Sequence, residues 1–353
     1  MGSRFKSEGV HEVPVSFSRG AGISFLWQIS RMTNAADFAG MTADEQVESL
    51  RACVAEVLEQ YALVAPVAES INHEYNSTFK VSAGSGETFA LRINVNSQRS
   101  IENLNAEIFL VQSIRSVATP KPVANRLGKF VTLGWHEATG RNLNAVLYTW
   151  LEGEEPGDEP NVEQLFALGA AMAKLHAETL GLELPLSAEL SDYTEFFWGS
   201  EDLLTGDTSE LSSEEKALVA AAIVRVDEVV AELQETGVRR PIHADLHPWN
   251  VMWHEGELSV FDFDDAGIGL PVQDLATSLY YLDTPEQDQA LLAGYKSVSA
   301  LPEYTEQQMK LLLLQRRILL LNYLYETSNP EHREMIPAYQ EETLRRIRNN
   351  LTA

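Results

Sequence analysis

Three polar side chains in this 353-residue sequence are spaced for one kind of chemistry: Asp245, Asn250 five positions later, and Asp262 beyond a mostly apolar stretch. Phosphoryl transfer asks a protein for positioning and charge neutralisation more than for covalent help. It needs a carboxylate beside the acceptor hydroxyl, to orient it and to take its proton, and Asp245 suits that task. It also needs hard oxygen ligands for magnesium, and the Asn250 amide oxygen and the Asp262 carboxylate supply them. Residues 251–261 read as a β-like hairpin, which predicts Asn250 and Asp262 at the ends of adjoining strands, able to converge on one ion. Asp264, two residues further on, is a further candidate for metal or acceptor contact.

Elements to hold these residues can be read from the hydrophobic periods. Residues 42–61 have helical spacing, and Thr42 with Glu45 predicts a capping box. Residues 75–81 and 88–93 then read as a hairpin about the Gly-rich turn 82–86, residues 101–114 as a helix, and 130–136 and 144–151 as two more strands. From there helices are predicted over 162–178, 213–235 and most of the chain after 272. The polar Gly/Pro/acidic stretch 151–160 marks a boundary. The organisation expected is a flexible extension over 1–35, a small α+β lobe over 36–150, and a larger, mainly helical lobe over 151–353.

Residues 243–250 (HADLHPWN), 261–267 (FDFDDAG) and 269–276 (GLPVQDLA) together form a specific pattern. The His-x-Asp-x-x-x-x-Asn run followed by an apolar–Asp pair is that of protein kinases. The variant here resembles the aminoglycoside phosphotransferase/choline kinase superfamily, above all its type II homoserine kinase-like and stress-response kinase-like members. The resemblance runs from about residue 70 to 330 and implies an α+β, protein-kinase-like fold of two lobes that uses ATP and Mg2+. It implies Asp245 as the catalytic residue and Asn250, Asp262 and Asp264 at the metal. In the small lobe, residues 74–81 look like the nucleotide-covering hairpin, placing Asn76 at the nucleotide. Arg92 looks like the basic residue that reaches the phosphates, and Glu107 like the helix glutamate that pairs with it. Residues 146–153, with Leu147, Tyr148 and Trp150, look like the hinge whose backbone holds adenine. Two positions depart from the pattern: Arg92 stands where protein kinases have lysine, and Trp249 where many relatives have glycine. Arginine can grip a phosphate bidentately but is stricter in geometry.

Other histidines and charges are read more plainly. His243 is expected to brace the loop, while His247 either faces the acceptor or caps the loop. Asp265 is read as a cap, and Asp274 resembles the family residue that braces the loop backbone from a helix start. Arg316 and Arg317 interrupt the apolar run 309–325, and either one of them serves the acceptor or they pair with surface acids.

Bulk composition excludes several roles. The formal net charge is −26, which disfavours a nucleic-acid partner, since phosphate backbones recruit clustered Lys and Arg. Hydrophobic residues at 44% and charged residues at 22% are those of a globular protein. Cys53 is the single cysteine, so no intramolecular disulfide can form; it is read as a helix packing residue in a reducing, cytoplasmic setting. No apolar run reaches a membrane-spanning length of ~20 residues. Residues 1–31 lack the apolar core of a signal peptide. Between residues 175 and 215 there are eleven Asp or Glu and no Lys or Arg.

The function expected is ATP- and Mg-dependent phosphorylation of a small-molecule hydroxyl, with the acidic bias favouring an amine-bearing acceptor such as a homoserine-like amino acid, an amino alcohol or an aminoglycoside. A stress-response type protein Ser/Thr kinase and a nucleotide-binding regulator with weak catalysis remain as alternatives. Monomer and homodimer both stay open, with no membrane partner.

Overall fold

The computed structural model describes residues 38, 40–96, 99–327 and 329–351. The extension expected over residues 1–35 lies outside them. The capping box forms as its spacing predicts: the Glu45 amide donates to Thr42 Oγ1 at 3.3 Å, and the Thr42 amide donates to the Glu45 carboxylate at 2.8 Å. The single helix expected over 42–61 is two, α1 (Ala43–Ser49) and α2 (Arg51–Glu59). Ser49 causes the break. Its hydroxyl donates to the Gln46 carbonyl at 2.6 Å, the acceptor Leu50 would use in a continuous helix, and the Leu50 amide turns to Val47 instead.

Six strands follow, interrupted by helix α3 (Ile101–Ser113): β1 (Val67–His73), β2 (Ser77–Ser82), β3 (Thr88–Asn94), β4 (Pro122–Val123), β5 (Val131–His136) and β6 (Arg141–Thr149). They form an antiparallel sheet in the order β1-β2-β3-β6-β4, with β5 also paired to β6. Strand β1 was not expected. It is an edge strand with Val67 59% and Ile71 52% exposed, so it lacks the apolar/polar alternation that marks a half-buried strand. Leu50, Val57, Leu91, Ile93 and Leu143 pack a core beneath this sheet, and Cys53 joins it as the packing residue expected.

Beyond β6 the chain turns helical: α4 (Val162–Thr179), α5 (Ser213–Thr236), α6 (Pro271–Tyr280), α7 (Pro285–Lys296), α8 (Glu306–Glu326), α9 (Pro330–Glu334) and α10 (Ile336–Leu351). Short strands run between them: β7 (Ser191–Asp192), β8 (Arg240–Ile242), β9 (Val251–His254), β10 (Glu257–Val260) and β11 (Gly267–Gly269), with one 3-10 turn at Phe263–Asp265. Leu165, Leu168, Met172 and Leu175 of α4 enter the second core, on the face their spacing predicts.

Helices α4 and α7 meet backbone to backbone. A Cβ on Gly169 would sit 1.9 Å from the Leu291 carbonyl oxygen, and one on Gly294 would sit 1.9 Å from that of Phe166. Among the described residues no helix is long and apolar enough to cross a membrane.

Candidate active site

Strand β8 delivers the loop 243–250, and buried side chains fix its backbone. Asp274, near the start of α6, accepts the amides of His243 at 3.0 Å and Ala244 at 2.5 Å. His176 of α4 holds Asp274 at 2.9 Å and is held in turn by the Tyr295 hydroxyl of α7 at 3.0 Å. The Gly169–Gly294 crossing therefore sets the position of the brace of loop 243–250. Ala244 takes φ +65°, a left-handed conformation that costs a residue with a Cβ and persists where surrounding contacts enforce it.

His243 is a brace, as its place in the loop predicts. Its Nε2 meets the Phe261 carbonyl at 2.9 Å and its ring lies 4.6 Å from that of Phe263, tying the loop to the Asp262 segment. His247 caps the loop: its Nδ1 accepts the Trp249 amide at 3.2 Å and its ring lies 4.2 Å from that of Tyr281, tilted by 35°. Trp249 lies over Gly157 in the stretch between the two cores, where a Cβ would come within 3.1 Å of the indole.

Asp245 is 2% exposed, and each of its oxygens is engaged. Asn250 Nδ2 donates to Oδ2 at 3.0 Å and to the Asp245 carbonyl at 2.7 Å. Arg316 Nη2 donates to Oδ1. Burial would raise the Asp245 carboxyl, but the Arg316 guanidinium and His247 hold it well below the usual carboxylate range.

The β9–β10 hairpin pairs Val251 with Val260, and the Phe261 amide donates to the Asn250 carbonyl at 3.1 Å. Asn250 and Asp262 thus emerge side by side. The Asn250 Oδ1 is buried without a partner, and Asp262, at φ +61°, receives no hydrogen bond or ion pair from the described residues. An orphaned amide oxygen beside a free carboxylate is a donor set that fits magnesium. Among the described residues no three His, Cys, Asp or Glu side chains gather into a metal cage. This set leans instead on an amide oxygen and leaves positions for phosphate oxygens.

Asp264 faces the small lobe. Asn76 Nδ2 donates to it at 3.0 Å, and Arg92 Nη2 lies 3.8 Å away. Asp265 is an ion-pair partner rather than the expected cap, meeting Arg99 at 2.7 Å. Burial foremost pushes its carboxyl up to about 6.

Arg92 is 8% exposed and pairs with Glu107, which also accepts the Tyr148 hydroxyl at 2.8 Å. Arginine's planar fork suits such a buried pair. Tyr148 thus serves this pair with its side chain. Leu147 and Tyr148 are flanked by β3 on one side and β4 on the other, so backbone free of the sheet begins at Trp150. Lys80 sits 4.9 Å over the Trp150 ring.

Of the two arginines, Arg317 is buried in the large lobe, 4.2 Å over the Tyr339 ring, and Arg316 reaches Asp245. The signal was present: a cation inside an apolar helical run must find a partner. Tyr75 and Tyr281 were not singled out from the sequence. The Tyr75 hydroxyl donates to Glu326 at 2.8 Å and its ring lies 5.6 Å from Tyr323, so the β1–β2 turn rests on α8. Part of the acidic stretch 175–215 has structural partners. Glu178 caps the Arg115 and Ser116 amides, Asp192 pairs with Arg239, and Glu215 closes the capping box of α5.

The phosphotransferase enzyme family (APH) matches residues 68–311, from β1 into α8. The amicoumacin kinase of Bacillus subtilis (strain 168) is 25% identical over 215 residues, 58% of this chain and 61% of that relative. The match therefore spans about three fifths of the relative's length. Among solved structures, the amicoumacin kinase hAmiN in complex with AMP-PNP, Ca2+ and Ami aligns with a TM-score of 0.68 at 19% identity, over 86% of this chain and 96% of that one. A microcompartment-associated aminopropanol kinase aligns with a TM-score of 0.66 at 21% identity, over 85% of this chain and 97% of that one. At these identities the structural likeness establishes the two-lobed, kinase-like fold.

Proposed function

The chain belongs to the phosphotransferase enzyme family, and from that premise we propose that it transfers the terminal phosphoryl group of ATP to a hydroxyl of a small molecule. One observation carries this reading. A buried carboxylate, Asp245, is clamped by Asn250, whose own amide oxygen is left without a partner beside the free carboxylate of Asp262. An amide oxygen buried unsatisfied is costly, and a ligand at that point repays it.

In this reading Asp245 orients the acceptor hydroxyl and takes its proton. Asn250 Oδ1 and Asp262 hold magnesium, which when bound neutralises charge on the nucleotide phosphates. Asp264, shared with Asn76 and Arg92, faces the nucleotide side. Arg92, steadied by Glu107 and Tyr148, presents its cationic face to the phosphates. Adenine lies against the backbone from Trp150 onward. The acceptor carries an amine, a reading supported by the net charge of −26 and by the name of the similar aminopropanol kinase. Cys53, buried and pushed up to about 12 by that burial, suits a reducing cytoplasm.

The test is ADP release from the purified protein with ATP and magnesium, across amino alcohols, hydroxy amino acids and aminoglycosides, with a protein substrate as contrast. Turnover with a small alcohol that disappears in Asp245→Asn is the expected result. ADP release with the protein substrate and with none of the alcohols would overturn the small-molecule reading.

A further inference from the structure

The contact between Arg316 and Asp245 is not needed to build the catalytic loop. Asp274, His243, His247 and Asn250 already fix its backbone and side chains. Arg316 comes instead from α8, 71 residues further along the chain. It brings with it a set of unmatched donors. Arg316 Nη2 donates to Asp245 Oδ1 and to the Tyr281 hydroxyl at 2.6 Å, while Arg316 Nε is buried with no partner. Since Tyr281 accepts that bond, its own O–H proton is still to be placed, and no acceptor for it exists among the described residues.

The geometry also says where an acceptor enters. Asp245 Oδ2 is taken by Asn250 at 3.0 Å, with His247 Nε2 at 3.4 Å. A hydroxyl that uses Asp245 must therefore come to the Oδ1 side, next to the guanidinium and the Tyr281 hydroxyl. Two donors without acceptors, one of them cationic, match a ligand group rich in acceptor oxygens. An ammonium brings donors and positive charge, and is repelled there.

We propose that Arg316, with Tyr281, is the specificity-determining pair of the acceptor site, and that it selects alcohols bearing a carboxylate close to the hydroxyl that is phosphorylated. The inference rests on the phosphotransfer reading above and narrows it. The amine of the acceptor then lies on the side away from Arg316, and the substrate class is a hydroxy amino acid or a larger molecule presenting the same group.

Matched compounds that differ in the carboxylate test it: L-serine against ethanolamine, L-threonine against 1-aminopropan-2-ol, and L-homoserine against 3-aminopropan-1-ol. Each is titrated calorimetrically into full-length protein saturated with AMP-PNP and magnesium. The expected result is that the carboxylate-bearing member of at least one pair binds about tenfold or more tightly, because a site built around donors rejects an analogue that leaves them unpaired. That ratio should collapse toward one in Arg316→Met and shrink in Tyr281→Phe and Arg316→Lys, so the result does not hang on one variant folding. Equal binding within every pair, absence of binding by every carboxylate compound, or a preference that survives in the variants overturns the inference. ADP release from ATP with the decarboxylated alcohols and no preference would leave phosphotransfer standing while this inference falls. Failure of AMP-PNP itself to bind would remove the phosphotransfer reading.

Discussion

One nitrogen of Asn250 grips Asp245 twice, at the backbone carbonyl 2.7 Å away and at carboxylate Oδ2 3.0 Å away. The amide thus aims the carboxylate and leaves its own oxygen buried without a partner. Replacing Asp245 by Asn keeps the shape and removes the charge and the proton acceptor. Turnover of ATP with acceptor should fall by about 10²–10⁴ in kcat, the usual scale for a lost general base, with an unchanged far-UV circular dichroism spectrum. A variant within threefold of wild type would show that Asp245 does not carry the chemistry.

Asp262→Ala removes the free carboxylate and leaves Asn250 as the remaining oxygen ligand of the pair. The magnesium concentration needed for half-maximal ATP turnover should rise by at least about tenfold, since magnesium gives up its waters reluctantly and depends on its carboxylates. The check is a magnesium titration of both proteins at fixed ATP. An unchanged midpoint would place the ion elsewhere.

Arg92 and Glu107 are 8% and 5% exposed and form a buried ion pair. Arg92→Met strands a buried carboxylate, which should cost about 3–5 kcal/mol in urea unfolding. Adding Glu107→Gln should recover most of that loss, because the stranded charge is gone. The double variant should remain inactive, which separates Arg92's role in stability from its role at the phosphates.

Glu74, in the β1–β2 turn, is pushed up to about 7 by burial, with the Asp262 charge adding to it. The folded protein therefore keeps a proton that the unfolded chain releases near 4.5. This contribution is fully present below pH 4.5 and is lost as pH rises to about 7. In metal-free protein, Glu74→Gln should flatten that part of the melting temperature profile. Magnesium at Asp262 should have a similar flattening effect in the wild type.

Gly169→Ala puts a methyl group 1.9 Å from a carbonyl oxygen of α7. Forced separation of two packed helices costs about 1–3 kcal/mol or more. Because α7 carries Tyr295 and α4 carries His176, both the melting temperature and kcat should drop. A loss of stability with kcat intact would show that the His176–Asp274 brace tolerates the shift.

What the sequence made legible follows from where each signal resides. Asp245, Asn250 and Asp262 occupy one contiguous stretch, so their convergence follows from a hairpin whose register is local. His243 was readable as a brace from its place in that stretch, whereas Asp274, 31 residues from His243, was readable only through the family resemblance. Strand β1 was invisible because exposed Val67 and Ile71 break the alternation, and the break after α1 was hidden because it depends on one hydroxyl of Ser49. The roles of Arg316, Tyr281 and Tyr75 depend on contacts between distant segments, which no local pattern encodes. The acidic stretch 175–215 read as acceptor chemistry from composition, and within it the structure shows Glu178 capping amides and Asp192 pairing with Arg239.

Helix α8 touches two parts of the candidate site at once: Arg316 meets Asp245, and Tyr323 with Glu326 meets Tyr75. Arg316 and Tyr323 lie seven residues apart, about two helical turns, and so share a face. Side chains along that face can be exchanged one at a time, but the interval cannot. One inserted or deleted residue between them would rotate one contact by about 100° relative to the other. In lineages of this protein, the distance from 316 to 323 should therefore resist insertions and deletions even where the residues between have drifted.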